Sequence, residues 1–167
     1  IGYCHASCPQ SEADYTELDQ AWRNVGYTSD TSQDDYDCVT DEHPMGCDGS
    51  LAVASWYRFV EPAGTQMPTT SDYYDAGASS RCGTLAPGYL DVSSHPTMGD
   101  APETANVCFD RPYYGNACDS KTSIEVCACS YDGGATTSYL YKLPQPPVCD
   151  AAYCAEGSRS PPPPRPP

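Results

Sequence analysis

The 167 residues set 23 Asp and Glu against eight Lys and Arg, a net charge of −15, which argues against the basic patch that nucleic-acid binding requires. Only 39% of the residues are hydrophobic, and 17 Pro and 13 Gly interrupt the chain, so the expectation is one domain with a small core, held in part by cross-links. Eleven Cys in so polar a chain form the pattern of a disulfide framework made outside the cell.

In chain order, residues 1–10 form an N-terminal extension carrying Cys4 and Cys8. No basic-then-apolar leader opens it, and for a secreted chain the expectation is a signal already removed. Residues 11–23, SEADYTELDQAWR, begin with a Ser-x-x-Asp capping box, and Tyr15, Leu18 and Trp22 recur at spacings of three and four. That pattern predicts a short N-terminal amphipathic helix. Residues 27–50 are rich in Asp, Ser, Thr and Gly without periodicity and predict a long loop anchored by Cys38 and Cys47. The loop gathers Asp30, Asp34, Asp35, Asp37, Asp41, Glu42 and Asp48, but never in the Asp-x-Asp-x-Asp-Gly order of a calcium-binding loop. A solvated acidic loop is expected there, with calcium the weaker alternative and no other cofactor.

LAVASWYRFVEP, residues 51–62, is the strongest strand signal, with Trp56, Arg58 and Val60 on one face and Tyr57 and Phe59 on the other. A central strand is expected, its Trp56, Tyr57, Arg58 and Phe59 packing in the core and Arg58 paired to one of the many acids. Further strands are predicted at 88–92, 106–109, 123–130 and 137–143, the last two joined at Asp132-Gly133-Gly134. Short strands with Gly and Pro turns predict a small disulfide-rich, mainly β domain over residues 11–154. No apolar run approaches the ~20 residues of a membrane helix, so no membrane insertion is expected.

The cysteine spacings lack paired CxxC knuckles, and His5, His43 and His95 are scattered, which sets zinc aside. The chain has no Gly-x-Ser-x-Gly elbow, no His-Glu-x-x-His helix and no phosphate-binding Gly-rich loop, so no catalytic residue is assigned. His95 precedes Pro96 in a Ser- and Thr-rich turn and reads as structural.

Cys47-Asp48, WYRF at 56–59, RCGTLAPGYL at 81–90, VCF at 107–109, IEVCAC at 124–129, YLYKLPQPPVC at 139–149 and AYC at 152–154 follow one another in an order that resembles the uromodulin-type eight-cysteine extracellular domain. The resemblance covers about residues 8–154 and implies a secreted, non-catalytic, β-rich module. The family's bridges, carried across, pair Cys47 with Cys149, Cys82 with Cys154, Cys108 with Cys118 and Cys8 with Cys129. Cys4, Cys38 and Cys127 match none of those positions. Because Cys127 and Cys129 share a strand face, Cys4 is expected to pair with Cys127, which leaves Cys38 unpaired or joined to another chain. In mammalian relatives an N-linked glycan near the last strand serves as bait for bacterial lectins. Here YLYKLPQPP contains no Asn and the chain has no Asn-x-Ser/Thr acceptor, which weakens that role.

Residues 155–167 change character, ending in SRSPPPPRPP, a run that adopts polyproline II and has no internal hydrogen bonds. The run is similar to the Ser-Pro-Pro-Pro-Pro unit of extensin-like hydroxyproline-rich glycoproteins, which makes Ser158, Ser160, Pro161, Pro162, Pro163, Pro164, Pro166 and Pro167 candidates for hydroxylation or glycosylation. The leading expectation is a non-enzymatic subunit of an extracellular fibre or matrix, its partner a second copy of itself. The alternative is a secreted carbohydrate- or microbe-binding module with an exposed Tyr-rich surface, its tail a rigid linker.

Overall fold

The computed structural model describes residues 3–26, 48, 51, 54–75, 82–84, 86–111, 116–148 and 151–157. Cys38, Cys47, Cys149, the acidic residues Asp30, Asp34, Asp35, Asp37, Asp41 and Glu42, and the proline-rich run at 158–167 lie outside the described residues.

Seven strands form one mixed sheet: β1 (Thr16–Leu18), β2 (Ser55–Phe59), β3 (Ala86–Leu90), β4 (Glu103–Arg111), β5 (Asn116–Cys129), β6 (Ser138–Leu143) and β7 (Ala151–Tyr153). Their spatial order is β1-β2-β6-β5-β4-β3-β7. β4, β5 and β6 are antiparallel neighbours, with Val107 opposite Thr122 and Val126 opposite Tyr141. The turn between β5 and β6 needs left-handed backbone at Gly133 (φ 76°) and Gly134 (φ 95°), a conformation that glycine takes without steric cost. The outer strands β1 and β7 pair in parallel with β2 and β3.

Strand alternation divides the apolar side chains between two faces. Phe59, Val107, Phe109, Val126, Tyr141, Leu143 and Tyr153 form the main core, none more than 1% exposed. Cys127, Cys129 and Leu140 face the other way and pack with Cys8 and Tyr15 of the N-terminal segment. A chain with few aliphatic residues thus covers its second face with a polar segment fastened by disulfides.

The two edges of the sheet approach through the chain itself. Asn24, six residues after β1, bridges Ala155, two residues after β7. Val25 N–H donates to Ala155 O and Ala155 N–H to Arg23 O, each at 2.8 Å. The β7 edge is therefore partly covered, which limits pairing with foreign strands.

Four expectations are revised. The helix over residues 11–23 is absent: the segment forms two 3-10 turns, Glu12–Asp14 and Ala21–Arg23, on either side of β1. The capping box is present, with Asp14 Oδ2 accepting from Ser11 N–H at 3.0 Å, but Thr16, Glu17 and Leu18 find sheet partners in Tyr57, Arg58 and Phe59, and tertiary pairing overrides a weak helical period. The one α-helix among the described residues is α1 (Thr70–Asp75), in a segment without helical periodicity. β2 is second from an edge rather than central.

The N-terminal disulfides are exchanged relative to expectation: Cys4 joins Cys129 and Cys8 joins Cys127. Ser130 N–H donates to Tyr3 O at 2.9 Å, which places Cys4 beside Cys129. The turn closed by Cys8 N–H on His5 O then carries Cys8 back along β5 to Cys127. Cys82 is bonded to Cys154 and Cys108 to Cys118, the partners that the resemblance implies.

Candidate functional site

The WYRF stretch divides by alternation. Tyr57 and Phe59 face the main core, while Trp56 packs with Cys127, Cys129 and Leu140 on the other face. Arg58 shares that second face, half-buried, and its Nη1 donates to Tyr15 Oη at 3.3 Å. No carboxylate among the described residues lies within ion-pairing distance of Arg58, contrary to the expected acid partner. Instead Arg58 lines an open cavity of about 240 Å³ with Glu12, Tyr131, Asp132, Thr136 and Ser138.

The β5–β6 turn builds one wall of this cavity. Asp132 Oδ1 accepts from Ser130 Oγ (2.7 Å) and from Thr136 N–H (2.9 Å). These hydrogen bonds hold its carboxyl down at about 2, so it stays ionised. Tyr131 stands at 5.8 Å ring-to-ring from Tyr15 and donates its hydroxyl to Pro9 O at 2.8 Å. Burial pushes that hydroxyl up to about 12, so it stays neutral.

The acid-paired arginine is Arg23. Its Nη2 and Nη1 grip Asp48 Oδ1 and Oδ2 at 2.6 and 2.8 Å, its Nε donates to Gln20 Oε1 at 2.7 Å, and Arg23 and Asp48 are both buried. Asp48 Oδ2 also accepts from Tyr153 N–H at 2.8 Å, and Asp48 N–H donates to Ala151 O at 3.0 Å. Asp48, read as part of a solvated acidic loop, is thus a buried ligand of β7.

A third polar group surrounds the last sheet-bonded residues. Glu156 N–H donates to Gln66 O at 2.7 Å, Thr65 N–H donates to Glu156 O at 2.8 Å, and Gln66 Nε2 donates to Glu156 Oε1 at 2.7 Å. Burial, together with the neighbouring Asp72 carboxyl, pushes the Glu156 carboxyl up to about 7. Close by, His95 Nε2 and Tyr141 Oη share a 2.7 Å hydrogen bond, and that oxygen also accepts from Met67 N–H at 2.8 Å. Burial holds His95 down at about 4 and keeps the Tyr141 hydroxyl well above its ordinary range. Both are neutral near pH 7, which suits a structural link and not proton transfer.

Among the described residues only Tyr3 and Tyr74 are exposed large apolar side chains, so the described tyrosines are mostly packing residues, while Tyr27, Tyr36, Tyr113 and Tyr114 lie outside the described residues. Sequence reading missed Arg23, Glu156 and the Tyr131–Ser138 wall. The one available signal was Arg23 followed much later by the Cys47-Asp48 pair, and nothing in the sequence joins the two.

The family profile described as "Uromodulin-like, D8C domain" matches residues 57–155. The chain belongs to the uromodulin-like domain family. It is 35% identical over 115 residues to the mouse pancreatic secretory granule membrane major glycoprotein GP2, covering 69% of this chain and 19% of the relative. Its rat counterpart is 33% identical over 140 residues, 83% of this chain and 23% of the relative. Rat uromodulin is 31% identical over 144 residues, 86% of this chain and 18% of the relative. The chain therefore spans about a fifth of these proteins. In this uromodulin-like domain both ends of the matched region are pinned, by Cys154 to Cys82 and by β2 to β1 and β6. No helix among the described residues is long and apolar enough to cross a membrane.

Proposed function

We propose that the chain is a non-enzymatic extracellular structural glycoprotein module, a subunit of a secreted fibre or matrix. Its proline-rich run is hydroxylated and glycosylated, extends as polyproline II, and lies along a neighbouring copy. The observation that carries this reading is how firmly the root of that run is held. Backbone hydrogen bonds fasten Ala155 and Glu156 on two sides, Cys154 is bonded to Cys82, and the proline-rich run begins at Ser158. A stiff segment leaving a rigid root has a defined direction, and a defined direction lowers the ordering cost of binding a second copy. A flexible root would lose that advantage.

The test compares the full chain with a variant ending at Gly157 by sedimentation velocity across a range of concentrations. The reading predicts association in the full chain and monomers in the variant. Equal behaviour in both overturns it.

The alternative, a carbohydrate- or microbe-binding module whose tail is a linker, is favoured by one specific feature: the polar cavity around Arg58.

A further inference from the structure

We propose that the cavity lined by Glu12, Arg58, Tyr131, Asp132, Thr136 and Ser138 binds one neutral pyranose unit of a glycan. The proposal rests on the binding-module reading and is independent of assembly through the proline-rich run.

Two side chains in the cavity have unused hydrogen-bonding capacity toward the described residues. Ser138 is 6% exposed and lines the cavity, yet its hydroxyl has no hydrogen bond to any described residue. Buried hydroxyls are otherwise nearly always bonded. Arg58 is half-buried, and its one hydrogen bond among the described residues is to the Tyr15 hydroxyl, leaving guanidinium donors directed at no carboxylate there. A ligand rich in hydroxyl groups satisfies both, because each hydroxyl donates and accepts.

The remaining lining sets the class of ligand. Glu12 and ionised Asp132 are acceptors for sugar hydroxyls, with Asp132 fixed in place by Ser130 and Thr136. Arg58 and Ser138 donate to hydroxyl or ring oxygens, and the Tyr131 ring offers an apolar face to C–H groups. Two carboxylates against one guanidinium leave the cavity net negative, within a chain of −15, which disfavours uronic, sialic and sulfated sugars. A volume of about 240 Å³ is below the ~300 Å³ at which drug-sized pockets begin, a size for a single ring rather than an oligosaccharide. Affinity is expected to be about millimolar, as small polar ligands in open sites give.

The test titrates the full chain with methyl pyranosides of glucose, galactose and mannose, with glucuronic acid as the anionic control, following two-dimensional amide and arginine Nε–H spectra. The expected result is saturable shifts confined to Glu12, Arg58, Tyr131, Asp132, Thr136 and Ser138 for at least one neutral sugar and none for the acid. Arg58→Gln is expected to weaken binding about tenfold, the equivalent of one lost charge-assisted hydrogen bond. Ser138→Ala deletes a hydroxyl without a described partner, so it leaves thermal stability unchanged and weakens binding severalfold. Absence of shifts with every sugar, or shifts with the acid alone, overturns the proposal. If glycan arrays show binding by the chain that both variants retain in full, the cavity assignment fails while the binding-module reading stands.

Discussion

Arg23 and Asp48 meet as a bidentate ion pair, 2.6 and 2.8 Å, with their side chains only 4% and 2% exposed. Trp22 stacks over the guanidinium at 4.4 Å, and Tyr153 contributes its N–H to Asp48 and its carbonyl to Arg23. The pair thereby fastens the end of the acidic segment and the turn after β1 to the edge strand β7.

Removing one member leaves a buried charge unpaired. Asp48→Asn is expected to cost about 3–5 kcal/mol, the range for breaking a buried ion pair, measured by urea unfolding at constant slope. The double variant Arg23→Met with Asp48→Leu should recover most of that loss, since it leaves no unpaired charge. A double variant as unstable as Asp48→Asn would show that the fold needs the hydrogen bonds to Tyr153 more than charge balance.

Cys4–Cys129 and Cys8–Cys127 join the same two segments. Once one is formed, the other closes only a small ring, so in the chain-entropy model the first contributes about 5 kcal/mol and the second only about 2.5 kcal/mol more, about 7 kcal/mol together. Replacing either pair with Ser should therefore cost about 2.5 kcal/mol, and replacing both nearly three times as much. Non-reducing peptide mapping should find Cys4 linked to Cys129 and Cys8 to Cys127; the exchanged pairing contradicts the register set by Tyr3 and Ser130.

The Glu156 carboxyl, pushed from 4.5 to about 7, holds its proton more tightly folded than unfolded. Its contribution to stability is thus full below pH 4.5 and is lost as pH rises towards 7. The groups around it are Gln66, Asp72 and, at longer range, Tyr141. His95, held at about 4 below its ordinary 6.5, acts with the opposite sign and loses stability as pH falls from 6.5 towards 4. Glu156→Gln removes the first effect and keeps the second. The melting temperature of the variant should therefore match the native chain near pH 4.5 and exceed it increasingly up to pH 7.5. A constant difference across that range would contradict the assignment.

Gly64 has φ 128°, and a Cβ there would stand 2.5 Å from the Glu156 carbonyl carbon. Gly64→Ala must therefore displace the root of the proline-rich run or strain the backbone, at a cost of about 1–3 kcal/mol, or about 3–10 °C in Tm for a domain of this size. The same variant should weaken association if the direction of that root matters.

The interior of the sheet was legible because β2, β4, β5 and β6 carry long alternating or β-branched runs and a Gly-Gly turn. The edges were not. Thr16–Leu18 and Ala151–Tyr153 are three residues each, too short for a period to register, and they become strands only because β2 and β3 offer free edges. The side of Arg58 followed from alternation, but its cavity depends on how the 130–138 turn folds back over β2, a nonlocal contact. The exchanged disulfides show the same limit: both pairings use one face of β5, and only the hydrogen bond between Tyr3 and Ser130 selects between them.

High-resolution imaging of the native material tests the assembly reading most directly. Assembly through this run gives repeating copies, each with its 158–167 run, enlarged by glycans, lying against the next. Isolated monomers whose proline-rich runs touch no other chain would contradict it.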